Sequence, residues 1–178
     1  DMEYKLVRRL ELSRYADMIK SGFSDVEHFL NVANMVLNRR KSRAGKSLEH
    51  HLSAIFDGNS IRYGSQVVTE GNKRPDFIFP GGKEYHDMRY PSDKLVFLGA
   101  KTTCKDRWRQ VINEANRINC KYLFTLQQGI STTQIREMYG ENIKLIVPKM
   151  YFKYYSPINY DYLWSLDKFL KYIKQIFV

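Results

Sequence analysis

The feature that most constrains the fold is an unbroken apolar run, Leu95 to Leu98, that ends abruptly in polar residues. A run without alternation is typical of a strand covered on both faces, as in a sheet flanked by helices. Strand alternation places Gly99 and Lys101 on one face, so Lys101 lies at the end of the strand. A helix is predicted from about Cys104. Because open α/β sheets place their sites at strand ends, residues 94–117 are the candidate functional centre.

The rest of the chain predicts an N-terminal group of helices, followed by strands that alternate with helices. Helices are predicted over 4–20, 24–39, 48–56, 131–139 and 165–177. One or two strands are predicted over 61–70, and single strands over 74–80, 121–126 and 143–147. Residues 41–47 are interpreted as a basic turn. This order favours an α/β fold with a mixed sheet flanked by helices. The chain is interpreted as one domain, with a helical layer over 1–40, a core over 42–148 and a C-terminal extension over 149–178.

Two of the predicted helices carry an apolar stripe at helical spacing. In the second helix the stripe comprises Val26, Phe29, Leu30, Ala33 and Val36 or Leu37, and in the third it comprises Leu48, Leu52, Ile55 and Phe56. Glu49 lies at the edge of the second of these stripes. A carboxylate that leans toward a buried stripe is a candidate functional group. The alternative is a solvated glutamate, stabilised by the dipole near a helix start.

The charge balance indicates a polyanionic partner. Lys and Arg number 29 against 19 Asp and Glu, which gives a formal net charge of +10. Such an excess is typical of proteins that bind nucleic acid, although some soluble proteins are basic without such a partner. A hydrophobic content of 43% with 14% aromatic residues excludes a disordered chain.

The cysteine count and the hydropathy pattern exclude several classes of protein. Cys104 and Cys120 are the two cysteines, and no CxxC unit occurs, so neither a disulfide scaffold nor a zinc site is predicted. A reducing, cytoplasmic location is therefore expected. No apolar run approaches the roughly 18 residues that a membrane span needs, so no membrane partner is expected. The N-terminus does not resemble a signal peptide, and its start is compatible with a fragment of a longer protein.

Acidic residues and a lysine stand at spacings that suit phosphodiester hydrolysis. Asp76 follows a proline at a strand start, and Lys101 comes 25 residues later, as in the PD-(D/E)xK nucleases. The acid that commonly stands two residues before the lysine is replaced by Gly99, which cannot bind a metal ion. Glu114 is the best substitute, because on the following helix it would share a face with Val111 and Ile118. The alternative for Glu114 is an exposed ion pair with Arg117.

The triplet Lys105, Asp106 and Arg107 has the chemistry to read G·C pairs. In the major groove, guanine offers two acceptors to Arg or Lys, and the cytosine amino group donates to Asp or Glu. Each good pair would discriminate by about 1–3 kcal/mol. The alternative is a solvated helix N-terminus, which composition alone favours.

Several segments together resemble the catalytic C-terminal domain of EcoRII-type restriction endonucleases. They are SRAGKSLEHHL, RPDFIFP, AKTTCKDRWRQVINEANRI, LFTLQQGIS and LIVP, within about residues 42–148. The resemblance implies a restriction-endonuclease-like core and a type II site-specific deoxyribonuclease. Such an enzyme would use Mg²⁺ to cut double-stranded DNA at CCWGG- or CCNGG-like sites, would leave 5′-phosphate ends and would act as a homodimer.

The resemblance also implies roles for individual residues. Asp76, Lys101 and Glu114 fall on the catalytic positions of the family, with Asp76 and Glu114 as metal ligands, and Glu49 falls on an additional acidic position. The residues implied in DNA binding are the recognition triplet Lys105, Asp106 and Arg107, together with Tyr85 and Arg43.

Two other classes of protein remain open on the sequence. A repair or junction nuclease on the same core would cut by DNA structure and would not need the Lys105 triplet. A catalytically silent DNA-binding module would not need Asp76, Lys101 and Glu114.

Overall fold

The structure is a computed structural model that describes residues 2–177, without the side chain of Asp106. The chain forms two compact units, 1–43 and 44–178. The helices are α1 (Met2–Ser21), α2 (Val26–Gly58), α3 (Gly82–His86), α4 (Trp108–Ile112), α5 (Thr132–Gly140) and α6 (Leu166–Phe177). The strands are β1 (Gly64–Ser65), β2 (Phe77–Phe79), β3 (Val96–Lys101), β4 (Lys121–Thr125), β5 (Ile143–Ile146) and β6 (Leu163–Trp164).

The six strands form one mixed sheet in the order β1-β2-β3-β4-β5-β6. The pairs β1–β2 and β2–β3 are antiparallel, whereas β3 to β6 run parallel to one another. Parallel pairing requires crossover connections, and α4 and α5 lie in two of them. The predicted mixed α/β sheet is therefore present. Residues 149–178, predicted as an extension, supply β6 and α6.

The sheet is covered on both faces, as the unbroken apolar run of β3 predicted. One core contains Phe97 and Leu123 of the sheet with Trp108 and Val111 around α4. The core on the opposite face contains Leu98 with Leu52 of α2 and Phe169 of α6. Neighbouring strand residues therefore point into different cores, and the strands read as continuously apolar.

The prediction of a turn at 41–47 is wrong, because α2 runs without interruption from Val26 to Gly58. Alanine, lysine and arginine are good helix formers, and the one glycine of this segment, Gly45, costs only about 1 kcal/mol in a helix. Nothing contacts the space where a Gly45 side chain would lie. The glycine and the serines of residues 41–47 therefore gave only weak support to the prediction of a turn.

The apolar residues of the first unit are largely exposed. In the predicted stripe of α2, Val26 is 74% exposed, Phe29 49% and Leu30 46%. In α1, Leu12 is 67% exposed. The spacing correctly predicted a helix, but Val26, Phe29 and Leu30 of its apolar stripe are exposed. None of the helices within residues 2–177 has the length and apolar character needed to cross a membrane.

The connections around β1 differ from the predicted pattern. The strand expected over 61–70 is reduced to Gly64–Ser65, because Gln66 takes a positive φ of 51° and turns the chain away. Residues 82–86, which follow the predicted strand over 74–80, form the short helix α3. The segment 149–162 forms two 3-10 helices before β6.

Candidate active site

The antiparallel pairing of β2 and β3 brings Asp76 beside Lys101. Phe77 pairs with Leu98, so the residue before β2 lies next to the end of β3. The Asp76 carboxylate is buried, and its Oδ2 accepts hydrogen bonds from the Ala100 N–H at 2.7 Å and from Lys101 Nζ at 2.9 Å. The backbone and the lysine together fix the carboxylate. Asp76 and Lys101, predicted as partners from their spacing, are in direct contact.

Glu49 joins this pair from helix α2. Its Oε2 accepts a hydrogen bond from Gln66 Nε2 at 3.2 Å. Burial raises the pKa of the Glu49 carboxyl; the negative charge of Asp76 raises it further, and Lys101 lowers it. The half-buried Glu49 therefore leans toward the sheet, as predicted, rather than standing free in solvent.

Glu114 lies close enough to the same pair to interact with both of its charges. Burial raises the pKa of the Glu114 carboxyl; Lys101 lowers it, and Asp76 raises it. Both glutamates thus sense the charges of Asp76 and Lys101. The structure brings together all four residues predicted as catalytic, and their roles in catalysis stay predictions.

Glu114 does not lie on a helix, which corrects the sequence-based prediction. Helix α4 ends at Ile112, and Ala115 takes a left-handed φ of 50°, which reverses the chain. Val111 and Ile118 are buried as expected, but they lie on opposite sides of this turn. Helical periodicity therefore predicted correctly that Glu114 lies near Asp76 and Lys101. It placed Glu114 on a helix, and that part of the prediction is wrong.

Two lysines that the sequence analysis missed hold the turn that carries Glu114. Lys121 Nζ donates to the Ile112 carbonyl, and Lys73 Nζ donates to the Asn113 carbonyl at 2.7 Å. Carbonyls at the end of a helix lack partners within the helix, so these lysines supply them. A sequence signal existed for Lys121, because a lysine at the start of a buried strand needs a specific partner.

Arg117 also fixes the turn, and it does not form the ion pair with Glu114 that the sequence left open. Its guanidinium donates to the carbonyls of Tyr85, Asp87 and Tyr90. The arginine therefore ties the turn to the chain after α3. Glu114 interacts instead with the positive charges of Lys101, Lys121 and Lys73.

Tyr85 lies in the core, which argues against the predicted contact with DNA. The side chain is 2% exposed, and its hydroxyl donates to both carboxylate oxygens of Glu70 at 2.7 Å. Glu70 Oε2 also accepts from the Asn116 N–H at 3.2 Å. In this arrangement Tyr85 and Glu70 brace the turn next to Glu114.

The carboxylates of Asp76 and Glu114 suit a hard divalent cation. Among residues 2–177, no three His, Cys, Asp or Glu residues form a ready-made metal cluster. Mg²⁺ does not need one, since it binds through one or two carboxylates and keeps several waters. Asp76 Oδ1 takes no part in the two bonds described above. Burial is the main cause of the raised pKa of Glu114, and the negative charge of Asp76 raises that pKa further; a cation bound by both carboxylates would offset both effects.

The predicted recognition triplet projects from the surface between two buried anchors. Residues 105–107 form a 3-10 helix, with Cys104 before it at 0% exposure and Trp108 after it at 2%. Lys105 and Arg107 are exposed, while the Asp106 side chain lies outside the described part of the chain. The backbone of the triplet is thus held at both ends.

Arg43, also predicted to bind DNA, lies within α2 in the first unit. Its Nη1 is 3.9 Å from Glu11 Oε1, and it is half-buried. A contact between Arg43 and DNA stays a prediction.

Comparisons with known proteins identify relatives of this chain. A model of the family described as EcoRII C terminal matches residues 7–170. The type II restriction enzyme EcoRII of Escherichia coli is 46% identical over 170 residues, which cover 95% of this chain and 42% of that protein. The type II restriction enzyme SsoII of Shigella sonnei is 29% identical over 141 residues, which cover 71% of this chain and 45% of that protein. The chain therefore spans less than half the length of either relative.

Solved structures establish the fold. The structure of metal-depleted Ecl18kI in complex with uncleaved DNA has a TM-score of 0.73 at 24% identity, covering 93% of this chain and 58% of that chain. The restriction endonuclease PspGI-substrate DNA complex has a TM-score of 0.74 at 16% identity, and the match covers 97% of this chain and 75% of that chain. The α/β fold expected from the sequence is thereby confirmed. The family model and the identity to EcoRII confirm the expected family resemblance.

Proposed function

Because this chain belongs to the EcoRII C-terminal family, we propose that it is the catalytic domain of a type II restriction endonuclease. It hydrolyses double-stranded DNA at CCWGG- or CCNGG-like sites with Mg²⁺ and leaves 5′-phosphate ends. The observation that carries the proposal is the contact of Lys101 with Asp76, flanked by Glu49 and Glu114. A lysine and several carboxylates around one strand end can bind a phosphate, a metal ion and a water molecule together.

Each residue has a distinct task in this mechanism. Mg²⁺ held by these residues would supply positive charge to offset the charge that develops on the phosphate, and would lower the pKa of water. Asp76, held by the Ala100 N–H, and Glu114, held by the braced turn, would bind the ion directly or through water. Lys101 orients the attacking water and offsets phosphate charge. Glu49 supports the lysine or the water shell of the ion.

Plasmid cleavage tests the proposal against its alternatives. The protein is incubated with a plasmid of known sequence and Mg²⁺, and the ends are sequenced. Discrete fragments that share CC(N)GG termini support a restriction endonuclease. Scattered cuts, or cuts at junctions, favour a repair nuclease instead, and intact DNA that shifts on a gel favours a silent binding module.

The recognition triplet gives a prediction about binding. Arg107→Ala should weaken binding to the cognate duplex by about 1–3 kcal/mol, the value of one bidentate contact to guanine. Binding to unrelated DNA should change far less, because phosphate contacts dominate it. Titration of fluorescent duplexes without Mg²⁺ measures both affinities. Equal losses on the two duplexes would mean that Arg107 contacts only the backbone.

The exposed apolar side chains of the first unit support a homodimer. Large exposed apolar patches mark interaction sites, and a palindromic DNA site favours two copies related by a twofold axis. Leu30 and Leu37 are seven residues apart on one face of α2, 46% and 49% exposed. The partner proposed for this face is a second copy of the chain.

Charged substitutions on this face should dissociate the dimer. Leu30→Glu combined with Leu37→Glu should convert a dimer into a monomer, because burying two carboxylates in an apolar contact is costly. Asn31→Glu combined with Asn38→Glu adds the same charge at exposed polar positions about 100° around the helix from the two leucines, and serves as the matched control. Sedimentation velocity measures the mass. A wild-type protein that sediments as a monomer with and without a cognate duplex would exclude this dimer.

A further inference from the structure

Gln127 joins the ends of two parallel strands. Lys101 at the end of β3 pairs with Thr125 at the end of β4, so the segments that follow these strands leave the sheet side by side. The half-buried Gln127 side chain crosses between them. Its Oε1 accepts hydrogen bonds from the Cys104 N–H and the Lys105 N–H, both at 3.0 Å.

These two N–H groups stand at the start of the recognition triplet. The first N–H groups of a helical turn have no partner within the turn, and a Ser, Thr, Asp or Asn at the cap usually binds one. Cys104 occupies the cap position here, and it provides no side-chain cap. Gln127 therefore caps this turn from the segment after β4, as a local capping residue would from within the turn.

The amide of Gln127 is itself held in one orientation. Its Nε2 donates to the Gly129 carbonyl at 3.2 Å, and its backbone N–H donates to Thr125 Oγ1 at 3.2 Å. The Gln127 carbonyl accepts from the Tyr155 hydroxyl at 2.6 Å. Rotation of the amide would turn its NH₂ group toward two other donors. The acceptor oxygen therefore stays directed at Cys104 and Lys105.

We propose that Gln127 is a positioning residue for sequence recognition, which sets the register of the Lys105–Arg107 backbone against the DNA bases. The inference rests on the proposed function, in which this triplet reads the half-site. Bidentate base contacts require side chains placed to within about 0.5 Å, so a shift of the triplet reduces base discrimination. Contacts to phosphates tolerate such a shift better.

The test compares cognate and altered DNA for variants of Gln127. Gln127→Met keeps the volume but has no acceptor, and Gln127→Glu keeps the acceptor. Each is titrated without Mg²⁺ against a CCWGG duplex and a duplex with one G·C pair inverted, over a series of salt concentrations. Gln128→Met, at the exposed neighbouring position, is the matched control.

The methionine variant should lose about 10-fold or more in the ratio of the two affinities, since each bidentate contact contributes about 5- to 150-fold. The salt dependence of binding to the altered duplex should stay unchanged, because it reports phosphate contacts. Gln127→Glu should restore most of the ratio. A general loss of structure would instead weaken binding to both duplexes together.

The outcomes separate this inference from the proposed function. A wild-type protein without preference for the cognate duplex contradicts the proposed function, and the inference with it. A wild-type protein that discriminates while Gln127→Met discriminates equally well overturns the inference alone. If the methionine variant does not melt cooperatively, Gln127→Asn replaces it in the test. The asparagine side chain is one methylene shorter, so its amide oxygen does not reach the same N–H groups. Discrimination equal to that of the wild type by this variant overturns the inference.

Discussion

Lys101→Ala should abolish DNA cleavage while leaving specific DNA binding within a few-fold of the wild type. The lysine contacts Asp76 Oδ2 at 2.9 Å, next to the place where the phosphate and the attacking water would lie. A positioned group that moves a proton or offsets developing charge contributes about 10²–10⁴-fold to a rate. The base contacts proposed for Lys105 and Arg107 come from another segment, so recognition should survive.

Cleavage of a cognate duplex under single-turnover conditions measures the rate, and titration without Mg²⁺ measures binding. Lys94→Ala is the matched control, because this exposed lysine precedes the other end of β3. In this variant the buried Asp76 carboxylate loses the bond from Lys101 and keeps the bond from the Ala100 N–H. The melting temperature shows whether this loss destabilises the protein. Normal cleavage by Lys101→Ala would contradict the proposed active site.

Glu114→Gln should have opposite effects on activity and on stability. Loss of a metal ligand should reduce cleavage by about 10²-fold or more, since the charge stabilisation by a metal ion is worth several kcal/mol. In the metal-free protein at neutral pH, the same change should raise the free energy of unfolding. Burial disfavours the ionised Glu114 and raises its pKa, and glutamine has a similar shape without the charge.

The raised pKa values of Glu49 and Glu114 determine whether the free energy of unfolding rises or falls with pH. A carboxyl with a raised pKa in the folded state binds its proton more tightly there than in the unfolded chain. Its contribution to stability is therefore fully present below the unfolded value of 4.5 and is lost as the pH rises through the folded pKa. Glu114→Gln should flatten this decline.

Thermal unfolding in a chelator, measured from acid to neutral pH, tests the prediction. Added Mg²⁺ should stabilise the wild type more than the variant, because only the wild type retains both ligands. Glu141→Gln, at an exposed glutamate after α5, is the control and should alter neither cleavage nor stability. A Glu114→Gln protein that is less stable without metal and still cleaves DNA would exclude Glu114 as a buried ligand.

The accuracy of the sequence-based predictions depended on how local the controlling interactions were. The apolar run of β3 and the order of strands and helices were predictable, since periodicity reports burial within a few residues. The continuity of α2 was missed, because the glycine and the serines of residues 41–47 were interpreted as a turn, although their cost in a helix is small beside the strong helix formers around them. Glu114 was assigned to a helix because periodicity does not reveal where α4 ends.

The sequence by itself determined the α/β class, the basic character and the pairing of Asp76 with Lys101, since these depend on local pattern, composition and a distinctive spacing. Only the tertiary structure decided how Glu114 reaches that pair and what holds the recognition triplet. The lysines at positions 73 and 121 and Gln127 act on residues that lie 9 to 40 positions away along the chain. Such contacts leave no periodic signal, because they depend on which strand ends the folded sheet places side by side.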